Sequence, residues 1–407
     1  MRAPRVALAA AWCLLWAAAV WLIANDSLHD LESLGVPVMA QRFADVYPVT
    51  GASVALERGL DPLADNPGDP WGRALNYPRI WLLPALLGVG PQHSDSFAIA
   101  LLVVFAASLL LLLPLATTPA RSATLALCLF SPVTWLAIER ANSDMLVFAL
   151  LAASAWALAH RPRTSAALVG TAAVLKLYPI FALGGLLGLP RRTALWLVGS
   201  IGVAFLGYLL WIRADLAAIQ ANSLAWNRIS YGITQLPDAV SANTGWPRQP
   251  LLVAAFVAIA ITLIAGLCVR RRWTLPTESG PTLHAFRIGA GVFVGTFCLG
   301  SNFDYRLLCL LPVVPQLVDW CATTRGRVRL AVGAQAALIP LLLWSMTWRK
   351  HLAATIGSET PGLMLDEVLT WLLVFGLLAT LVLSLPAWLL PRWSATPSNA
   401  ADGAATA

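Results

Sequence analysis

The chain has 407 residues, of which 58% are hydrophobic and 12% are charged, and its formal net charge is +7. Together with a mean hydropathy of +0.72, this composition excludes a soluble globular protein and predicts an all-α polytopic membrane protein. The positive charge lies in short loops beside apolar runs, which is typical of membrane topology and excludes nucleic acid as the expected partner.

Apolar runs recur along the chain, each close to the ~20 residues that cross a bilayer. We predict about ten membrane-spanning helices, the first of them an uncleaved helix, at 6–24, 95–116, 121–138, 144–159, 193–211, 251–269, 286–301, 305–321, 328–347 and 367–390. With a cytoplasmic N-terminus, the positive-inside rule places residues 25–94 and 212–250 in exoplasmic loops. Residues 1–392 are then one integral membrane domain, and 393–407 are predicted to be a disordered cytoplasmic tail.

The first outer loop, residues 25–94, carries a predicted short amphipathic helix on the membrane surface. Pro48 suits its first turn, Gly59 its end, and one face holds Val49, Ala52, Ser53 and Leu56. Asp45 lies just ahead of this helix. It is either a cap or a solvated loop acid, or it is a general base at the mouth of a membrane cavity.

A second polar cluster, Glu139 to Phe148, falls between two apolar runs. Asn142 is a good helix N-cap and Asp144 would lie in the first helical turn, so capping explains both residues. Capping does not explain why Glu139 and Arg140 crowd the same boundary. A polar cluster at bilayer depth is better placed facing a cavity.

Lys176 is one of only two lysines, and it lies within the apolar run 166–189. An ammonium group is costly there, so it normally marks a cavity or a substrate path. Arginines flank the run on both sides, and the positive-inside rule then requires both ends to lie on one face. We therefore predict a re-entrant hairpin over 164–190, with Tyr178-Pro179 at its apex and Lys176 near the outer face.

A third cluster joins two apolar runs with almost no loop between them, and it contains Asn302, Asp304, Tyr305 and Arg306. These residues either mark a tight outer turn or are tucked against the helical bundle. In the second case Arg306 and Lys176 are two cations at similar depth, which suits the binding of a phosphate.

The remaining polar and aromatic residues give weaker signals. In the 212–250 loop, Trp226, Arg228, Tyr231 and Trp246 either contact sugar or lipid headgroups or are interfacial residues, and the second interpretation is favoured. The five histidines are scattered, and the acids at 61, 65 and 69 lie among Pro, Gly and Asn, which favours turn acids over metal ligands. No metal site is predicted.

The order of these motifs resembles the polyprenyl-phosphate-sugar-dependent glycosyltransferases of the GT-C superfamily, most closely glycosyltransferase family 87, which includes actinobacterial α-mannosyltransferases. The resemblance covers about a third of the chain, in the blocks Phe43 to Trp81, Glu139 to Arg192 and Ser301 to Leu317. Its more specific parts are Lys176-Leu177-Tyr178-Pro179 and the run from Asn302 to Arg306. Where the family usually has Tyr-Pro-Pro, this chain has Tyr77-Pro78-Arg79.

The resemblance implies a GT-C-like bundle that uses a polyprenyl-phosphate hexose, such as mannose, on the exoplasmic face of the plasma membrane. The acceptor would be a cell-envelope glycolipid or polysaccharide. Asp45 stands where the family has its proposed catalytic acid, and we expect it to be the base of an inverting transfer without cofactor or metal. The expected donor-phosphate ligands are Lys176, Tyr178 and Arg306, and the expected sugar or acceptor ligands are Asn142, Asp144, Asn302, Asp304 and Tyr305.

Two other functions are consistent with these residues. A transporter or lipid flippase would also use an intramembrane lysine to carry an anionic or lipid-linked substrate. The acid-rich first loop and the lack of a fixed internal repeat argue against it. The other is a non-catalytic membrane partner of a cell-envelope assembly.

Overall fold

The computed structural model describes residues 3–223, 227–270, 273, 275–277 and 280–389. The α-helices in these ranges, numbered α1 to α19 in chain order, are Ala3–Ala24, Tyr47–Thr50, Ala52–Glu57, Leu83–Leu86, Ser94–Leu109, Pro119–Leu129, Pro132–Arg140, Asp144–Ala157, Pro162–Lys176, Leu183–Leu186, Arg191–Trp211, Arg213–Ala221, Gln235–Thr244, Arg248–Val269, Pro281–Leu299, Val314–Thr323, Gly326–Leu343, Ser345–Ile356 and Thr360–Ser384. The 3₁₀ helices are Leu28–Leu34, Ala44–Val46, Arg79–Leu82, Pro91–His93, Leu110–Leu115, Tyr178–Ala182, Asn227–Ile229 and Asp304–Val313. The strands β1 and β2 are Ser230–Tyr231 and Asn302–Phe303. The predicted tail 393–407 and Trp226 lie outside the described residues.

The prediction of an all-α membrane protein is confirmed. Over the described ranges, eight helices are long and apolar enough to cross a membrane, and a ninth candidate is the pair α6 and α7, which bends by 47°. These nine correspond to nine of the ten predicted spans. The tenth, predicted at 144–159, is α8, whose 14 residues extend only about 21 Å at 1.5 Å per residue, short of the ~30 Å hydrocarbon core.

The predicted hairpin over 164–190 is confirmed by how its arms pack. Helix α9 leads to an apex at Leu177, and the chain returns through a 3₁₀ turn and α10. Helix α11 then runs parallel to α9, since Ile201 packs at Gly170 and the Tyr208 hydroxyl donates to the Val174 carbonyl oxygen at 3.0 Å. The start of α9 and the start of α11 are therefore at the same end of the bundle.

Helix α15 is the centre of the bundle. In its most apolar stretch 78% of the residues are buried, against 11% in α11 and α14, which therefore form the lipid-facing periphery. The returning arm of the hairpin packs directly on α15, with the Phe181 ring lying where a side chain at Gly295 would be. A small residue at this position lets the two backbones approach closely.

The first loop folds as a compact cap at one end of the bundle. The predicted short helix is present as α2 and α3, with Pro48 in its first turn. Val49, Ala52 and Ser53 are buried, as expected, but Leu56 is exposed. The buried face packs against the loop's own residues, because Val49 belongs to a small apolar cluster with Leu63, Leu75, Tyr77 and Trp81.

The 212–250 segment is more closely tied to the bundle than predicted. Strands β1 and β2 pair antiparallel, with Tyr231 opposite Asn302. Tyr231 is not an interfacial aromatic residue: it is buried, its hydroxyl lies 3.0 Å from that of Thr296, and its ring stacks on Phe293. Trp246 is exposed. The short ladder fixes the start of the 302–306 turn against the bundle.

Candidate active site

Asp45 lies in a 3₁₀ turn ahead of α2. The chain enters this turn through Phe43, which has a left-handed backbone (φ 58°) and donates its N–H to the Glu139 carbonyl oxygen at 3.0 Å. Oδ2 of Asp45 accepts a hydrogen bond from Asn142 Nδ2 at 2.7 Å, and Oδ1 lies 3.6 Å from Arg73 Nη1. The side chain caps no helix and is 18% exposed, so neither a cap nor a solvated loop acid describes it.

Asn142 is the hub of the site. Its Oδ1 accepts from the Lys176 ammonium and from the Asp144 backbone N–H, each at 2.8 Å. Besides the carboxylate described above, its Nδ2 reaches the hydroxyl of Tyr305 at 3.0 Å and that of Tyr77 at 3.3 Å. The contact with the Asp144 N–H at the start of α8 is the predicted helix cap. The other contacts of Asn142 join the first loop, the hairpin and the 302–306 turn.

Asp144 is held between two cations. Lys176 Nζ lies 2.9 Å from Oδ1 and Arg306 Nε lies 3.2 Å from Oδ2. The Tyr178 hydroxyl also donates to Oδ1 at 2.9 Å, and its ring lies beneath the Arg306 guanidinium. The ring of Tyr77 packs on the Lys176 ammonium at 4.4 Å. Two cations thus share one carboxylate, and this buried cluster carries a formal charge of +1.

The 302–306 turn divides its side chains between two regions. Asn302 Oδ1 accepts from Arg306 Nη1 at 2.6 Å, which ties the turn to the positive cluster. Asp304 is directed elsewhere, with its Oδ2 3.9 Å from Arg349 Nη2. Consecutive residues of a 3₁₀ helix point about 120° apart, so neighbours on this turn cannot all face one site.

Eight of the nine predicted site residues form one continuous network of contacts: Asp45, Asn142, Asp144, Lys176, Tyr178, Asn302, Tyr305 and Arg306. Asp304 lies outside it. Its placement beside Arg349 gives no support to the predicted contact with the sugar or acceptor.

A cavity of about 240 Å³ opens beside Asp45. Its lining consists of Asp45, Pro48, Arg73, Ala74, Asn76, Tyr77, Ala221, Asn222, Phe303 and Tyr305. The cations Lys176 and Arg306 do not line this cavity. They lie behind a wall formed by Tyr77 and Tyr305, which contact Asn142 from the cavity side.

Arg73 is the main residue that the sequence interpretation missed. Its Nε and Nη2 bind both carboxylate oxygens of Asp69 at 2.8–3.2 Å, and Nη2 also donates to the Ala44 carbonyl oxygen at 2.5 Å. Its guanidinium stacks on the Trp71 ring at 4.6 Å. Asp69 is a turn acid, as expected, since it accepts the backbone N–H groups of residues 71 and 73. The only sequence signal was an Asp and an Arg four residues apart.

Tyr77 is a second missed residue, and its environment keeps its hydroxyl neutral. Burial raises the pKa of Tyr77 well above its usual value, and the negative charges of Asp45 and Asp144 raise it further. The phenol therefore remains protonated at neutral pH and can both donate and accept hydrogen bonds.

Arg79, which stands where the resembled family usually has proline, bridges the first loop to α12. It binds Asp61 through Nη1 and Nη2 at 3.0 and 2.7 Å, and it binds Asp215 through Nε at 2.9 and 3.0 Å. Beyond α12, Asn222 donates to the Leu63 carbonyl oxygen at 2.7 Å. These contacts fix the segment that supplies one wall of the cavity.

Within the described ranges, no group of three or more His, Cys, Asp or Glu residues is arranged to hold a metal ion. The observations define a polytopic helical membrane protein with a charged, largely buried site beneath its first loop.

No protein-family model matches the chain, and no curated protein matches it significantly. Two solved structures align with most of it: ArnT from Cupriavidus metallidurans in the apo state and the same protein bound to undecaprenyl phosphate. The apo structure has a TM-score of 0.36 and the alignment covers 91% of this chain and 79% of that one. The values for the bound structure are 0.38, 92% and 78%, and each is 15% identical. Likenesses this distant carry no inference about activity.

Proposed function

We propose that the protein is a glycosyltransferase that takes a hexose, with mannose as the first candidate, from a polyprenyl-phosphate donor. The observation that carries this proposal is the carboxylate of Asp45 on the wall of a 240 Å³ cavity, with a buried cluster of net positive charge behind it. A base and a positive potential are the two features that transfer from a phosphate leaving group requires. The motif resemblance supplies the donor class, and a cell-envelope glycolipid or polysaccharide is the proposed acceptor.

In the proposed reaction, Asp45 accepts the proton of the acceptor hydroxyl as that oxygen attacks the anomeric carbon. The bond from this carbon to the phosphate oxygen breaks, and its electron pair leaves with the polyprenyl phosphate. Attack opposite the leaving group inverts the configuration at the anomeric carbon. The phosphate departs as an anion, so this mechanism includes no acid catalyst, metal or cofactor.

The network behind the cavity positions the Asp45 carboxylate and supplies positive charge that offsets the charge of the phosphate. Asn142 fixes the orientation of Asp45 through one hydrogen bond and is itself held by Lys176. Lys176 and Arg306 contribute a positive potential through the tyrosine wall, where the low dielectric makes it effective. Because both oxygens of Asp144 are occupied by these cations, we assign Asp144 to holding them rather than to contacting the sugar.

The cavity wall supplies the polar groups that we propose for the sugar and acceptor. Tyr305, Asn76 and Asn222 line it and offer hydroxyl and amide groups for hydrogen bonds to sugar hydroxyls. Tyr178 and Asn302 act from behind, by orienting Asp144 and Arg306.

We further propose that the site faces the exoplasmic side of the plasma membrane. Arg270 and Arg287 both donate to carbonyl oxygens at the C-terminal end of α19, at the far end of α15 from Asn302. The positive-inside rule places that arginine-rich end in the cytoplasm. Labelling of Arg58→Cys in intact cells by a membrane-impermeant maleimide tests this, and failure to label it would reverse the orientation.

The deciding experiment supplies purified protein in lipid nanodiscs with labelled polyprenyl-phosphate-mannose and an envelope lipid extract as acceptor. Asp45→Asn should reduce transfer by roughly 10²- to 10⁴-fold, the usual contribution of a general base. Asp65→Asn, an exposed acid in the same loop, is the matched control and should transfer normally. Equal transfer by Asp45→Asn and wild type would remove Asp45 from the mechanism.

The same preparation separates the alternative functions. A flippase moves labelled lipid-linked sugar across a liposome membrane without forming a covalent product. Movement without any product, from every lipid-linked sugar supplied, would replace the enzyme with a transporter.

A further inference from the structure

We propose that Arg73 binds the departing phosphate of the lipid donor directly, through Nη1. This inference rests on the proposed function and assigns it a residue that neither the motifs nor the resemblance indicated. The cations expected for this task, Lys176 and Arg306, are both paired with Asp144 and do not line the cavity. Arg73 is the one cationic side chain among the lining residues, all of which are described.

The guanidinium of Arg73 is anchored through hydrogen bonds from Nε and Nη2, whereas Nη1 is available to a ligand. Nε and Nη2 are occupied by Asp69 and by the Ala44 carbonyl oxygen, and the ring of Trp71 supports the flat face. The side chain of Asp69 is fully buried, which makes this anchor rigid. Nη1 makes none of these hydrogen bonds and lies 3.6 Å from Asp45 Oδ1, too far for a good one.

The position of Nη1, beside the proposed base on the wall of the same cavity, suits the chemistry. During transfer the phosphate changes from a diester with one negative charge to a monoester close to two, since the second phosphate pKa is about 6. This growing charge develops beside the Asp45 carboxylate, and an arginine next to both groups offsets the repulsion. A planar guanidinium with a free N–H edge is the group best suited to hold a phosphate in a fixed orientation.

The test compares two ligands that differ in charge but hardly in size: farnesyl phosphate, which resembles the product, and its methyl ester, which keeps the single charge of the donor. Binding to nanodisc-embedded protein is measured by tryptophan fluorescence. Wild type should bind the monoester more tightly than the methyl ester. In Arg73→Gln the ratio of the two dissociation constants should fall by about 10-fold or more, as expected for loss of a charge-assisted contact. Arg58→Gln, an exposed arginine at the end of α3, is the matched control and should keep the preference.

The outcomes separate this inference from the proposed function. If wild type binds neither ligand, the lipid-phosphate donor is wrong and the inference fails with it. If Arg73→Gln is folded and keeps the full preference for the monoester, the inference alone is overturned. If Arg73→Gln does not fold, Arg73→Lys and Asp69→Asn decide: each keeps a cation but loses the fixed edge, so both should reduce the preference, and an undiminished preference in both overturns the inference.

Discussion

Two buried clusters of ionisable residues lie on different sides of the 302–306 turn, and one is rich in cations while the other is rich in acids. On one side, two cations share the carboxylate of Asp144, with a formal sum of +1. On the other side, one cation, Arg349, stands among an excess of buried acids, and the formal sum would be −2 with every acid ionised: these acids are Asp304, Asp366 and Glu367.

The difference shows which side of the turn is built for an anion. The positive cluster is fully engaged, since its ammonium, guanidinium and carboxylate all have hydrogen-bonded partners. In the negative cluster, Oδ2 of Asp304 and Oε2 of Glu367 are buried without a hydrogen-bond partner. A phosphate is therefore favoured on the Asp45 side, and adjacent residues of one turn, Asp304 and Tyr305, separate the two environments.

The largest expected effect on the difference between the two clusters comes from a change at Asp144. Asp144→Asn leaves Lys176 and Arg306 without a counter-ion in a buried site, and loss of one partner of a buried ion pair costs about 3–5 kcal/mol. We expect a large fall in thermal stability and loss of transfer. The double variant Asp144→Asn with Lys176→Met restores the formal charge to +1 and should recover part of the stability. Equal stability of the single and double variants would show that the cluster is not electrostatically coupled.

The matched change on the other side should have the opposite sign. Glu367→Gln replaces a carboxyl group whose Oε2 is buried without a hydrogen-bond partner, and it keeps the size of the side chain. We expect it to be neutral or stabilising by about 1 kcal/mol, because a buried acid without a full set of partners is costly. Thermal unfolding of the two amide variants side by side measures this contrast. A destabilisation as large as that of Asp144→Asn would show that Glu367 is a required counter-ion.

Tyr77→Phe tests the wall between the cavity and the positive cluster. The variant keeps the ring that packs on Lys176 but loses the oxygen that accepts from Asn142. A single hydrogen bond of this kind is worth about 1 kcal/mol, so the transfer rate should fall about fivefold. Because the pKa of Tyr77 is raised above its usual value, the phenol is neutral throughout pH 6–9. The pH–rate profiles of variant and wild type should therefore have the same form, and a shifted alkaline limb would show that Tyr77 ionises.

The sequence indicated which buried polar residues would come together, for a physical reason. Lys176, Asn142 and Arg306 are polar residues in apolar surroundings, where their cost is high enough to be informative. The hairpin followed from the arginines that flank it. The same reasoning could not assign Asp304 to a separate cluster, because the direction of each side chain on a 3₁₀ turn depends on contacts made elsewhere.

The shallow part of the site carried almost no signal. Arg73 and Asp69 look like any surface pair in a turn rich in glycine and proline, and only the folded loop brings Arg73 next to Asp45. Tyr231 is buried because β1 pairs with β2, some seventy residues further along the chain. Helix α8 is apolar enough for a span but too short, and composition does not distinguish the two cases.

The smallest expected effect tests how the loop is held over the cavity, where exposed pairs replace the buried ones of the deeper site. Arg79 lowers the pKa of Asp61 by a direct hydrogen bond, so this pair stabilises the fold above the unfolded pKa of about 3.9, and the stability is lost as pH falls through the lower folded pKa. Both side chains are nearly half exposed, so solvent screening limits the pair to at most about 1 kcal/mol. Arg79→Gln should lower the unfolding temperature slightly at pH 6, and its stability should change less than that of wild type between pH 5 and pH 3. High salt should reduce the difference at pH 6, and a salt-independent loss would mean that Arg79 acts through packing against α12 and not through its charge.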